Sequence, residues 1–229
     1  MVDSNSNRGR KFPAPLNDVE LADTWAVAWR ELGRPLPLQM RLELQKAWKE
    51  EHRRYHDQVH LRECMALWSM WRNHCERPGE VAIALWFHDA IHDPMESGNE
   101  VKSASWAAQA LVAAGVGSDV SQRVYDLVMA TRHDKGAEGA DAQLLVDIDL
   151  AILGSPQARF DRYDRDVRKE YESVPVFRYR VQRAHVLKGF MNRTQIFNSA
   201  LAQDMLESQA RVNLAAAISR LERKSSSAS

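Results

Sequence analysis

The residues of this chain best suited to chemistry stand where side chains of their kind are least at home. His88 and Asp89 directly follow Val81 to Phe87, the longest purely apolar run of the sequence, and His88 falls on the helical face of Val81, Ala84, Leu85 and His92. An unpaired carboxylate in such a setting costs several kcal/mol, and even a neutral imidazole must find partners. His60 repeats the pattern, with Cys64 and Trp71 as its i+4 and i+11 neighbours. So does LLVDIDLAIL, in which Asp147 and Asp149 are the only polar residues. Helical positions two apart point about 200° away from each other, so only one of those two acids can face a given site. Two imidazoles and two carboxylates, from His60, His88, Asp89 and one of the pair, make a mixed nitrogen and oxygen donor set suited to a first-row divalent ion. A structural cysteine-rich zinc site is not supported, because no CxxC occurs. A metal site with coordination left open brings the pKa of bound water towards about 7, which is hydrolytic chemistry.

The elements that must position these residues read as helices. Asn17 caps a predicted helix running to Gly33, with Leu21, Trp25, Ala28, Trp29 and Leu32 on one face; Pro35 and Pro37 then force a break before a helix at about Gln39 to Glu50. A long helix from Asp57 to Cys75 carries Leu61, Cys64, Trp68, Trp71 and Cys75 along one side. Pro78 suits the first turn of the next helix, which contains VAIALWFHDAIHD and is expected to stop near Pro94. Further helices are predicted over Asn99 to Ala114, Ser118 to Arg132, Asp141 to Leu153, Pro156 to Glu172, Pro175 to Asn192 and Gln203 to Arg223. LLVDIDLAIL alternates as a strand would, but its Leu and Ala content and the Gly154-Ser155-Pro156 stop favour a buried helix. Residues 1 to about 16 read as a lead-in and Lys224 to Ser229 as a tail.

Composition agrees. With 10 glycines and 8 prolines in 229 residues, and 45% hydrophobic residues, the chain is expected to be all-α, and collagen, low-complexity disorder and disulfide scaffolds are excluded. The 31 basic and 31 acidic side chains cancel, so there is no electrostatic footprint for a nucleic acid or an anionic membrane. Any phosphate chemistry must be local. Cys64 and Cys75 lie too far apart on one helix to bridge and are expected to be reduced packing residues. The first residues are polar and basic without an apolar signal region, and no apolar run is long enough to span a bilayer, so the expected location is cytoplasmic.

The order His60, His88-Asp89, Asp149 resembles the HD-domain superfamily of metal-dependent phosphohydrolases, most closely a bacterial branch of predicted phosphohydrolases. The stretches carrying the resemblance are RRYHDQVH, ALWFHDAIHDP, NEVKSA, ATRHD and DIDLAILG, and it covers most of the span from Arg54 to about Arg193. It implies an HD-type helical bundle over residues 51–223, preceded by a tail and helical extension over 1–50, closed by a C-terminal helix and followed by a disordered tail over 224–229. It also implies metal ligation by His60, His88, Asp89 and Asp149, with Asp147 behind them. The expected cofactor is a divalent ion, Mn²⁺ in the first place and otherwise Mg²⁺, Co²⁺, Ni²⁺, Fe²⁺ or Zn²⁺. The expected partner is a small phosphorylated substrate, possibly a nucleotide. Members that hydrolyse nucleotide pyrophosphates often carry Glu-Asp where this chain has His92-Asp93, so their substrate does not transfer.

Roles around the metal are assigned by chemistry. Asp89 would orient water or accept its proton, while His92, or His133 where it reaches the site as the resemblance to two-metal members implies, would protonate the leaving oxygen. His92 has alternatives as a ligand of a second metal or a helix-end histidine, and His133 as an imidazolium at a helix C-terminus. His56 either packs over the site or faces water, and Asp93 stands beside His92 on the expected substrate side. Glu100 would steady a metal-side water or simply favour a helix N-terminus. Arg180 and Arg183 in FRYRVQR offer guanidinium forks for phosphate, against the plainer reading of a basic surface helix. RFDRYDRDVRKEY reads as a solvated, salt-bridged face, and the tryptophans as core. Two other functions compete. His88 and His92 at i and i+4 imitate the HExxH helix of zinc peptidases, but with the shorter Asp89 and with His60 and DIDLAIL unused. An HD-fold module that binds metal or nucleotide without turnover is the non-enzymatic alternative.

Overall fold

The computed structural model describes residues 12–133 and 136–226, and among them no strand occurs. The predicted lead-in and tail fall largely outside those residues. The helices are α1 (Asp18–Glu31), α2 (Leu38–Ala47), α3 (Gln58–Trp71), α4 (Pro78–Phe87), α5 (Asn99–Ala113), α6 (Ser118–Met129), α7 (Ala140–Asp149), α8 (Gln157–Glu170) and α9 (Val176–Met191). A short α10 (Ala200–Ala202) continues through a π turn into α11 (Ser208–Ser226). The all-α expectation is met, and LLVDIDLAIL is helical throughout, passing from α7 into a 3₁₀ turn at Leu150–Gly154.

Local chemistry sets the starts that matter most. Asn17 and Glu20 form a reciprocal capping box on α1. The Asp57 carboxylate accepts from Val59 N at 2.8 Å and caps α3, which puts His60 in the first turn. Pro78 opens α4 where its missing N–H leaves nothing unpaired.

Everything is arranged about α4. Its residues from Gly79 to Phe87 are all buried, and α1, α3, α5, α6 and α7 pack around it. A helix enclosed on every side needs apolar residues all round, as VAIALWF supplies. α1 and the end of α2 belong to the same core: Trp25 meets the Trp86 ring edge-on at 5.2 Å, Trp86 donates to Thr24 Oγ1 and the Trp48 indole donates to Trp86 O at 2.9 Å. Between α3 and α8 the mostly buried Glu63 and Arg159 form a two-pronged ion pair at 2.5 and 2.6 Å. Gly154 is required where the 3₁₀ turn crosses the π turn, because a Cβ there would lie 2.7 Å from Leu206 O. Among the described residues no helix is long and apolar enough to cross a membrane.

The two aspartates of α7 separate as helical geometry demands. Asp147 is fully buried and turns away from Asp149 to accept four hydrogen bonds, from Asn198 N and Nδ2 and from Ser199 N and Oγ. It pins the segment after α9 to the bundle. Replacing Asp147 with Ala should strand those donors and cost about 3 kcal/mol. The thermal midpoint is expected to fall by roughly 6–12 °C in a calorimetric scan; an unchanged midpoint would show that the segment is held by other means.

Candidate metal centre

His60 and His88 approach one another from different helices with their far ring nitrogens occupied. His88 follows the last residue of α4 and its Nδ1 lies 2.7 Å from Leu85 O, which accepts its proton and leaves Nε2 as a lone pair. His60 Nδ1 lies 3.1 Å from Tyr55 Oη. The two Nε2 atoms stand 3.2 Å apart. Asp149 Oδ1 is 3.2 Å from the His60 nitrogen and 3.5 Å from that of His88, and Asp89 Oδ2 is 3.8 and 3.3 Å from the same two atoms. Of the four expected ligands, His60, His88 and Asp149 converge, with Cys64, closely enough to hold an ion, and Asp89 stands beside the two imidazoles. Both imidazoles are buried, at 2% and 1% side-chain exposure, while the two carboxylates keep 17% and 14%.

The donors fit a divalent ion. Ligand atoms about 2.1 Å from one ion, at tetrahedral or octahedral angles, stand about 3.0–3.4 Å apart, close to the separations among His60, His88 and Asp149. Facing imidazole nitrogens beside two carboxylates need positive charge among them. Burial would hold the His88 imidazole below its ordinary pKa, but Asp89 and Asp149 prevail and raise it. For Asp149 burial pushes the carboxyl up, and hydrogen bonds from His133, His60 and His88 bring it well below the ordinary carboxylate range. Cys64 Sγ comes within 3.8 Å of His60 Nε2 and lies within reach of an ion held there; with no ion bound, burial and then the charge of Asp149 push its thiol well up.

His133 also belongs to the centre. Its Nε2 lies 3.1 Å from Asp149 Oδ2, and it is the only non-glycine with positive φ (56°) among the described residues. Such strain persists where the surroundings impose it. The helix-end alternative for His133 is thus incomplete, since the ring reaches back to the ligand carboxylate.

The helix expected to run to Pro94 ends instead at Phe87. Its last carbonyls have other donors: Leu85 O takes the His88 ring, and Trp86 O takes the Trp48 indole. The Arg53 guanidinium then donates to Asp89 O at 2.7 Å and Ala90 O at 3.0 Å, and to His56 O at 2.9 Å. Arg53, with no side-chain exposure, thus fastens the turn before α3 to the turn after α4. His88 and His92 consequently do not share a helical face, and the peptidase-like pairing does not form.

His92 joins a second cluster. Its ring packs on that of His56 with centroids 4.2 Å apart, and its Nε2 lies 3.6 Å from Glu170 Oε2. Glu170 Oε1 accepts from the backbone N of Arg54, Tyr55 and His56 at 2.8–2.9 Å, and Oε2 lies 2.7 Å from His56 Nδ1. These three side chains are also close enough to hold an ion. Glu170 is hidden in sequence by the charge alternation of α8. Its signal was position: Phe160, Tyr163, Val167 and Glu170 recur at three and four along the buried side.

Asp89, His133 and Asp149 open on a cleft of about 590 Å³, whose wall includes Glu100, Asp93 and Arg183. Asp93 Oδ1 is committed to Met95 N, and Arg180 is not brought to the cleft because its guanidinium donates to Leu221 O. Comparison with protein-family models, curated proteins and solved structures gives no match to this chain.

Glu170 sets a pH prediction. Burial alone would raise its carboxyl, but the hydrogen bond from His56, the nearby His92 ring and the backbone N–H groups win and hold it far below the ordinary 4.5. A depressed folded pKa gives stability that is present above 4.5 and lost as pH falls below it. Glu170→Gln should therefore cost about 2 kcal/mol near neutral pH in urea unfolding, with the gap to wild type narrowing in acid. A pH-independent gap would contradict an ionised Glu170.

Proposed function

We propose that the chain is a metal-dependent phosphohydrolase of the HD type that acts on a small phosphorylated molecule. The observation that supports this most directly is the convergence of the His60, His88, Asp89 and Asp149 donor atoms, three of them 3.2–3.5 Å apart, at the edge of an open cleft. His60, His88, Asp89 and Asp149 would hold the ion, Mn²⁺ being the first choice for this mixed donor set. When bound, a divalent ion supplies charge for phosphate oxygens and water that ionises near neutral pH. The chain's own residues do the rest. Asp89, at the cleft margin, orients the attacking water and accepts its proton. His133, 21% exposed and anchored to Asp149, faces the cleft as proton donor to the leaving oxygen. His92 lines the same cleft but is turned to Glu170, and so positions His56.

Metal content and phosphate release from a panel of phosphorylated metabolites test this. Wild type is expected to hold metal stoichiometrically and to lose activity with a chelator. His88→Ala and Asp149→Ala should lose both metal and activity while keeping their helical spectra. His133→Ala should keep the metal and lose roughly 100-fold in kcat. Full activity without metal, or stoichiometric metal in His88→Ala, would sink the mechanism; bound metal without turnover of any compound would favour the non-catalytic binding module.

A further inference from the structure

Arg183, on α9, is a largely buried cation that lies over the Tyr163 ring, 5.0 Å from its centroid, but is short of hydrogen-bond acceptors. Its side chain is only 10% exposed, yet its Nε and Nη2 make no hydrogen bond. The nearest acid, Asp164, stands 3.6 Å from Nε and is shared with Arg220. Other guanidiniums of the interior are served differently: the buried Arg53 has three backbone carbonyls and Glu50, and the half-buried Arg159 grips Glu63 with two prongs. A buried donor left without an acceptor is destabilising, and an arriving anion would relieve that.

Arg183 also lines two neighbouring cavities, the metal cleft and a second of about 620 Å³. His56, Tyr163, Tyr171 and Val186 share that dividing wall. Beyond it the second cavity is bounded by Val167, Tyr179, Val181, Gln182 and His185, and no acidic side chain lines it. The Tyr179 hydroxyl is buried without a partner, while Val181 and Val186 leave apolar surface open at 53% and 46% exposure. Three phenol rings and three valines suit a flat apolar group, and the absence of acids disfavours a cationic one.

Resting on the phosphohydrolase reading, we propose that Arg183 anchors the substrate's phosphate oxygens and that the tyrosine-lined cavity takes a planar aromatic group of the same molecule. The substrate class is then a phosphoester of an aromatic group, with the phosphate in the metal cleft and the ring behind Arg183.

Two inert probes, phenylphosphonate and methylphosphonate, separate the parts when titrated calorimetrically into the Mn²⁺-loaded protein. Phenylphosphonate should bind roughly tenfold more tightly, as expected for partial burial of a ring. Arg183→Gln should weaken both probes by about tenfold or more, with Arg183→Lys recovering part of the loss. Val181→Asp, at an exposed position that should not disturb folding, should abolish the preference and leave methylphosphonate affinity within about twofold. Equal affinities in wild type, or Arg183→Gln binding as wild type does, would overturn the proposal. If Arg183→Gln fails to fold, the Lys and Asp variants still decide it. Probe preference without phosphate release from phenyl phosphate or any other compound of the panel would leave the anion and ring subsites standing as a binding site and remove the hydrolytic reading; release from small aliphatic phosphates without preference would do the reverse.

Discussion

Two imidazole nitrogens that face each other at 3.2 Å beside two carboxylates cannot be left to themselves in a protein interior. With both rings neutral the lone pairs repel and the carboxylates lack a counter-charge, so the arrangement persists only around a cation or a proton. The fold is organised to impose it. α4 is enclosed on all sides and ends one residue before His88, while the cap at Asp57 starts α3 three residues before His60. Leu85 O and the Tyr55 hydroxyl occupy the far ring nitrogens, which settles the orientation of both rings.

Around that centre the loops are held by single ionised side chains, each serving several backbone groups. Arg53 takes three carbonyls, Glu170 three N–H groups, Asp147 two, and Arg211 the carbonyls of Met191, Arg193 and Thr194. Charge-assisted bonds of this kind are stronger than neutral ones and hold irregular backbone without a sheet or a metal. Part of the balanced charge of the sequence is thus spent inside the molecule, not presented to a polyanion.

The donors of the centre were legible because they break an apolar pattern. His60, His88-Asp89 and the acids of LLVDIDLAIL stand out against their neighbours, and helical geometry alone required Asp147 and Asp149 to part. The end of α4 was not legible, because ALWFHDAIH continues as good helix locally and the stop comes from Arg53 and Trp48, distant in the chain. Glu170 was hidden among the alternating charges of α8. Arg180 and Arg183 are equivalent in sequence, three apart on one helix; packing sends one to Leu221 O and the other to the cleft wall.

The grip on Asp147 has a consequence for the metal centre itself. Each residue of a helix is rotated about 100° from the next, so the azimuth of Asp149 is fixed as soon as that of Asp147 is. Asn198 and Ser199, which none of the candidate ligands approaches in sequence, therefore act as an indexing pin that sets how far α7 is turned about its own axis. The segment linking α9 to α10 is in this sense a part of the centre, and the aim of its last carboxylate is decided on the opposite side of the helix.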